Sequence, residues 1–196
     1  MSVNKKGFTI VELLIAISVF SMAIMIVTAV VLGIARQYQK ASYTVQLNDA
    51  SRNIHEALAK DINYGGSSSE VLSDGLKKWV CSDNGVMYAW TATSGSSISY
   101  GLYRYDLAAT QTCDASVFDI AIQQGVNLLP KNGFVANFSK DDIGAGASEI
   151  KTNFRVGTAD MFTDINNPST SNCLPTLKGG DFCSVVQYNS VVRPHI

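Results

Sequence analysis

Charged residues are scarce in this sequence and form no run of one sign. They make up 16% of the 196 residues, and 15 Lys and Arg nearly balance 16 Asp and Glu, for a formal net charge of −1. Binding to a nucleic-acid backbone requires clustered basic side chains. From Arg36 onward, the nearest approach to such a cluster is the pair Lys77 and Lys78. The sequence therefore does not support a nucleic-acid partner.

Motifs of the common enzyme and metal-site classes are also lacking. The chain has no nucleophile elbow, P-loop, HExxH helix or dinucleotide-binding fingerprint. It has only two histidines, His55 and His195, and none of its four cysteines forms a CxxC pair, so no zinc-site spacing is present. Glu56 follows His55 on a predicted helix, where we expect a solvated pair. We therefore predict no catalytic residue and no enzyme.

What the chain does have is a long apolar run near its N terminus. Residues 8–35 contain a single charged side chain, Glu12. As a helix rising about 1.5 Å per residue the run is about 42 Å long, which exceeds the roughly 30 Å of a hydrocarbon core. An ionisable group in a spanning segment indicates function by default, although Glu12 is near enough to the polar edge to snorkel to the headgroups. The run predicts one membrane-spanning segment.

A short basic segment and a Gly-Phe junction precede this run. A secretory signal would place its small-residue cleavage site after a shorter apolar core, whereas here Gly7 and Phe8 come before it. Lys5 and Lys6 lie directly before the junction, and Glu12 is the fifth residue after Gly7. The stretch KKGFTIVEL resembles the type IV prepilin signal, which type IV pilins share with the pseudopilins of type II secretion systems.

The resemblance implies a processing and assembly route. A prepilin peptidase would cut after Gly7 and methylate the new amino terminus at Phe8. Glu12 would register the subunit against the amino terminus of a neighbour in a filament. The implied partners are the peptidase, other pilin subunits, an inner-membrane assembly platform, and membrane lipid before assembly.

The resemblance also bears on the kind of subunit. The family's major subunits commonly have a helix-bending proline where this chain has Ala29. This difference favours a minor pilin.

The helix is predicted to continue beyond the apolar run. Residues 36–63 contain no Pro or Gly, and apolar residues recur there at helical steps of three and four. The predicted buried stripe comprises Tyr43, Leu47, Ala50, Ile54, Ala57, Leu58 and Ile62. The predicted exposed face comprises Asn48, Asp49, Ser51, Arg52, Glu56 and Lys60. Gly65 and Gly66, followed by serines, indicate a helix end.

The remainder of the chain is rich in strand-forming residues. Strand composition occurs at residues 86–93, 98–106, 134–138, 150–156 and 185–192, with turn-forming residues between them. Hairpin-like spacing favours an antiparallel sheet, and the striped helix would cover its apolar face. We therefore predict an α+β, pilin-like fold with a leader at 1–7, a long helix at 8–64 whose first part, 8–35, spans the membrane, and an extracytoplasmic β-rich domain at 65–196.

All four cysteines lie beyond the apolar run. An even number in an extracytoplasmic domain indicates two disulfides, and four cysteines allow three pairings. We favour Cys81–Cys113 and Cys173–Cys183, because each pair closes a loop and the second would staple the C-terminal region, as in many pilins.

Two acidic loops have oxygen ligands that suit calcium. One contains Asp160, Asp164 and Asn166, with Asp181 nearby, and the other contains Asp141, Asp142 and Glu149. Some pseudopilins bind calcium in C-terminal loops, but neither loop has a known calcium-loop spacing, and turn chemistry explains both equally well. We expect no cofactor, with calcium at the first loop as the alternative.

The sequence thus favours a non-enzymatic minor pilin. The precursor would be a single-pass protein of the inner membrane, and the assembled subunit would lie in a surface or periplasmic filament for adhesion, motility or DNA uptake. The alternative within the family is a type II secretion pseudopilin. An alternative from another class is an adhesin or sensor domain on an uncleaved anchor.

Overall fold

The computed structural model describes residues 7, 9–65, 71–144, 147–175 and 182–192. It divides into an N-terminal unit, Met1–Tyr38, and a C-terminal unit, Gln39–Ile196. Helix α1, Ile10–Gly65, contributes residues to both units. The predicted α+β class, with a long N-terminal helix and antiparallel strands, is confirmed.

The described residues of the C-terminal unit form two antiparallel sheets where one was expected from the sequence. The first has the order β1-β2-β3-β4-β5 and the second has the order β6-β7-β8. Helix α2 lies between β4 and β5 in the chain, and a short 3-10 helix follows β7. The elements are β1 Leu72–Asp74, β2 Lys77–Ser82, β3 Val86–Thr91, β4 Tyr103–Asp106, α2 Ala115–Gln124, β5 Val126–Asn127, β6 Gly133–Gly144, β7 Ala147–Val156, the 3-10 helix Ala159–Met161 and β8 Ser184–Val192.

Both faces of the five-stranded sheet are covered in its central strands. In β3, Val86, Tyr88 and Trp90 belong to a core shared with α1. The alternate residues Met87 and Ala89 pack instead in a second core with α2. A strand buried on both faces shows no alternation of apolar and polar residues, which explains the continuous apolar composition of β3.

Helix α2 was not predicted, although its signals are present in the sequence. Asp114 is its N-cap and accepts a hydrogen bond from the backbone N–H of Ser116 at 2.8 Å. Its side-chain hydrogen bonds to Ser116 and Thr112 lower the pKa of Asp114 to about 2. Val117 and Ala121 are buried on one face of the helix. An N-cap followed by apolar residues at helical spacing is the pattern that identifies such a helix.

The part of α1 in the C-terminal unit packs on both sheets, but its buried stripe differs from the predicted one. Leu47, Ile54 and Leu58 are almost fully buried, as expected. Ser51 was predicted to be exposed, yet it is completely buried. The covered arc of the helix is wider than an apolar stripe alone suggests, because two sheets pack against it rather than one.

His55 is the second correction on this helix. It was expected to be solvated beside Glu56, but it is only 3% exposed. Its Nδ1 lies 3.0 Å from Ser190 Oγ on β8, and its Nε2 lies 2.5 Å from Thr152 Oγ1 on β7. Small hydroxyl side chains on the strands leave room for the imidazole and satisfy both of its nitrogens.

A polar cluster ties the last turns of α1 to the five-stranded sheet. Tyr88 donates its hydroxyl hydrogen to Asp61 Oδ2 at 2.6 Å, and Ser82 donates to the Asp61 carbonyl at 2.8 Å. Burial and the hydrogen bond to Asp61 raise the pKa of Tyr88. The guanidinium of Arg104 lies 3.8 Å from the same carboxylate. The buried groups are thus paired across the helix–sheet contact.

The predicted strand at 98–106 is shorter in the structure. Only Tyr103–Asp106 forms a strand. Gly101 has a φ of +103° and donates its N–H to the Gly133 carbonyl at 2.8 Å. A Cβ at this position would lie 2.5 Å from the Tyr103 ring. The strand therefore begins only after this glycine, whose backbone conformation other residues rarely adopt.

The four cysteines form two disulfides, with the pairings favoured from the sequence. Cys81–Cys113 joins β2 to the residue before the α2 N-cap. Cys173–Cys183 joins the loop after the 3-10 helix to the residue before β8. That loop is also held by Arg155, which is 4% exposed and donates to the carbonyls of Pro168 and Ser171. Covalent and polar contacts thus fix a segment with little regular structure.

The buried His55 makes stability depend on pH. Burial lowers its pKa to about 4 from an ordinary value of 6.5, so the unfolded chain binds a proton over this interval and the folded chain does not. Stability is fully present above pH 6.5 and falls as the pH drops towards 4, by at most about 1.4 kcal/mol per pH unit. We expect chemical denaturation of the detergent-solubilised chain to show this slope and the variant His55→Gln to lose it. An unchanged slope in the variant would contradict the assignment.

Candidate functional site in the N-terminal helix

The structure describes part of the N-terminal motif. Gly7, Thr9 and Glu12 lie within the described residues, and α1 begins at Ile10. Lys5, Lys6 and Phe8 lie outside them. The processing roles predicted for Gly7 and Phe8, and the assembly role predicted for Glu12, stay predictions.

Glu12 caps its own helix. The backbone N–H of Thr9 donates to Glu12 Oε2 at 3.0 Å, and the backbone N–H of Glu12 donates to Thr9 Oγ1 at 3.2 Å. The Thr9 hydroxyl also donates to Glu12 Oε2 at 3.0 Å. This reciprocal arrangement is a capping box, in which Thr and Glu three residues apart satisfy the free N–H groups of a helix start. The carboxylate is thus oriented by contacts within its own chain.

The capping role of Thr9 was missed from the sequence, although the signal was present. Thr-x-x-Glu before an apolar run is the sequence pattern of a capping box. A carboxylate at a helix N terminus also interacts favourably with the helix dipole. Glu12 therefore has a local role in addition to any role in assembly.

The apolar side chains beyond Glu12 are exposed in the part of the chain that the structure describes. One helix among the described residues is long and apolar enough to cross a membrane, and its most apolar window has a mean hydropathy of 2.7 with 0% buried. Large side chains such as Phe20 and Met25 are 67% and 72% exposed. A water-exposed surface of this kind would be unfavourable. The helix therefore requires lipid or other apolar helices around it.

The hydroxyl groups on this helix are satisfied internally. Ser18 donates to the Ile15 carbonyl, Ser21 to the Ile17 carbonyl and Thr28 to the Ile24 carbonyl, each at 2.8 Å. Polar groups in an apolar solvent must find partners within the segment. These side chains therefore add little cost to burial in lipid or in a helix bundle.

The first acidic loop is organised by turn contacts. Asp164 accepts hydrogen bonds from the side chain of Asn167 at 3.0 Å and the backbone N–H of Asn166 at 2.9 Å, and these lower its pKa. Asp160 accepts from the Thr158 hydroxyl. Asp181 lies outside the described residues. In the described part of the chain no group of three His, Cys, Asp or Glu side chains is arranged for a metal ion, and calcium binding stays a prediction.

The second acidic loop is occupied by an ion pair. Lys151 lies 3.0 Å from Asp141 and 3.1 Å from Glu149, and its hydrogen bonds to these two groups raise its pKa. The carboxylates of Asp141 and Glu149 are therefore already paired with the ammonium group of Lys151.

An open groove of about 520 Å³ lies on the C-terminal unit between α1 and the segment after β5. Its lining is Gln46, Asp49, Ala50, Asn53, Ile54, Asn127, Leu128, Leu129 and Pro130. These residues provide one carboxylate and several amides but no nucleophile. The groove thus has no recognisable catalytic set.

Comparison with known proteins finds a match at the N terminus. Residues 3–28 match the family model of the prokaryotic N-terminal methylation motif. This motif supports a resemblance to the N terminus of type IV pilins and pseudopilins. The motif implies processing by a prepilin peptidase and assembly with other pilins, and it is typical of a structural subunit. No curated protein and no solved structure matched the chain.

The matched motif overlaps the apolar part of helix α1. The matched residues include the capping box and most of the uncovered apolar surface. Together they fit a membrane-anchored precursor.

The capping box can be tested separately from assembly. Thr9→Ala removes the N-cap hydroxyl and should cost about 1 kcal/mol of local helix stability. We expect faster hydrogen exchange at the first amides of α1 in detergent micelles. Ser18→Ala is the matched control, because the Ser18 hydroxyl caps nothing and its loss should leave those amides unchanged. Equal exchange in both variants would contradict the capping role.

Proposed function

We propose that the chain is a minor pilin that is cut after Gly7, methylated at Phe8 and assembled into a type IV pilus-like filament. The observation that supports this most is the match of residues 3–28 to the methylation motif on a helix whose apolar surface is uncovered. Ala29, in place of a helix-bending proline, favours a minor subunit over a major one. The subunit is structural and not catalytic.

During assembly the apolar helix moves from one apolar environment to another. The precursor lies in the inner membrane with its helix in lipid, and the assembly platform transfers the helix into a bundle of pilin helices. Because lipid is as apolar as the bundle, close packing and polar pairing decide the balance. The filament is then presented at the cell surface or in the periplasm, where it serves adhesion, motility or DNA uptake through other subunits or partners.

Glu12 supplies the register of this assembly. In the apolar bundle its carboxylate pairs with the methylated amino terminus of a neighbouring subunit. A buried charge that loses its partner is strongly destabilising, so only one axial position of the new subunit is favourable. The capping contacts with Thr9 hold the carboxylate at the helix start while the partner arrives.

The processing step is tested by intact mass and N-terminal sequencing of the protein purified from its native membrane. We expect the chain to begin with N-methyl-phenylalanine at Phe8. An intact leader beginning at Met1 would contradict the proposal and would favour an adhesin or sensor domain on an uncleaved anchor. A processed chain found only in a filament of a type II secretion system would favour the pseudopilin alternative.

The role of Glu12 is tested by two substitutions that differ in capping. Glu12→Ala removes both charge and cap, whereas Glu12→Gln retains the cap because glutamine also serves in a capping box. We expect both variants to be processed normally, and incorporation into sheared filaments to fall by at least about tenfold in each, because the neighbour's amino terminus loses its counter-charge.

Thr9→Ala is the complementary control, since it keeps the carboxylate and loses the cap. We expect it to be incorporated. Incorporation of Glu12→Gln but not of Thr9→Ala would show that helix capping, and not charge pairing, is what assembly requires.

A further inference from the structure

The outer edge of β8 differs from the other sheet edges that the structure describes. The five-stranded sheet ends in β1 and β5, which have only 3 and 2 residues. Very short edge strands present few free backbone groups to another chain. Neither edge of this sheet is therefore suited to pair with a partner strand.

The β6 edge of the three-stranded sheet is long but is protected in other ways. β6 has 12 residues, and its pairing with β7 contains two register shifts. Its sequence includes Lys140, Asp141 and Asp142. Charged side chains and bulges are the features by which natural edge strands avoid pairing with another chain.

β8 has none of these features. It has 9 residues, SVVQYNSVV, with no charge and no proline, and it pairs with β7 without a register shift. No described strand lies on its other side. Among the described residues, a row of backbone N–H and C=O groups is therefore left without a strand partner along an uncharged strand of good β propensity.

The strand is also held in place for such pairing. The Cys173–Cys183 disulfide ends directly before its first residue. Ser190 contacts His55 on α1, and Tyr188 packs its ring 4.3 Å from the same imidazole. An edge that is already ordered loses little conformational entropy when a partner binds.

The side chains along the edge indicate the chemistry of a partner. Gln187 and Asn189 are exposed, while Tyr188 and Val191 are 40% and 58% exposed. The side chains of β8 itself would offer a partner strand amide groups and apolar groups but no charge.

We propose that the β8 edge binds an extended segment of a different protein, which adds an antiparallel or parallel strand to the three-stranded sheet. Backbone hydrogen bonds would supply the affinity, and alternating apolar and uncharged polar side chains would supply the fit. The proposal adds a partner surface on the C-terminal unit to the filament contacts proposed for the N-terminal helix.

A second copy of this chain is disfavoured as the partner. This conclusion rests on the proposed function, in which the chain is a filament subunit. Subunits of a helical filament make heterologous contacts, in which two different patches meet. β8 of one subunit would therefore have to pair with another edge of the next. The other described edges are short, or are charged and bulged, as set out above.

The test uses the full chain in detergent micelles and a peptide of nine residues that alternates threonine and valine, capped at both ends. We expect the labelled peptide to bind, as measured by fluorescence anisotropy, and to slow hydrogen exchange at about half of the β8 amides. A second peptide of the same sequence carries an N-methyl group on every residue. It has no N–H to donate to β8 and should not bind.

Two lysine variants locate the site. Val191→Lys places a charge on the edge and should weaken peptide binding by about tenfold or more. Val45→Lys is the matched control, because Val45 on α1 is 57% exposed and Val191 is 58% exposed, and it should leave binding unchanged. Asn189→Lys is a second edge variant, in case Val191→Lys lowers the melting temperature.

Several results would overturn the proposal. They are absence of binding to the unmodified chain, binding that the edge lysines do not weaken, and equal binding of the unmodified and the N-methylated peptide. A second copy on the edge would be shown by a disulfide-linked dimer of Asn189→Cys, whose new thiol is the only free one because the four native cysteines are paired. Peptide binding does not depend on leader removal, so failure here is distinct from an intact leader in the mass measurement, which would contradict the proposed function.

Discussion

The structure depends first on an apolar helix surface that no other described residue covers. From Ile10 onward the helix exposes Ile, Val, Leu, Met and Phe side chains, and its hydroxyl groups are bonded back to its own carbonyls. In water such a surface would drive aggregation. Its stability therefore comes from what surrounds it, first lipid and then, as we propose, like helices. The one charged side chain, Glu12, is placed at the start of this surface, where the helix itself can satisfy it.

In the C-terminal unit the same helix is covered, because its apolar side chains there belong to a buried core. Leu47, Ile54 and Leu58 pack against both sheets, and α2 covers the remaining face of the five-stranded one. Two of the polar groups that this arrangement buries are paired across element boundaries. His55 reaches two strands, and Asp61 accepts from Tyr88 and Ser82. These contacts fix the position of the helix on the sheets, which apolar packing alone specifies less well.

Two kinds of contact hold the described part of the segment between β7 and β8 in place. Arg155 is buried without a described carboxylate beside it and is stabilised by carbonyl oxygens and by the Phe162 ring, whose centroid lies 5.7 Å from the guanidinium carbon. The nearby Cys173–Cys183 disulfide supplies a covalent restraint. Together they position β8, whose free edge is the feature that distinguishes this sheet from its neighbour.

The sequence by itself determined the apolar segment, the motif around Gly7 and Glu12, the α+β class and most strand positions, because these depend on local composition and periodicity. The capping box of Thr9 and Glu12 and the N-cap of α2 were not predicted, but their signals are present in the sequence, since caps are local in sequence. Only the tertiary structure decided that Ser51 and His55 are buried, that a strand begins only after Gly101 and that the described strands divide into two sheets. These outcomes depend on which distant residues meet, such as His55 with Thr152 and Ser190, and no local pattern encodes a contact between residues so far apart in the chain.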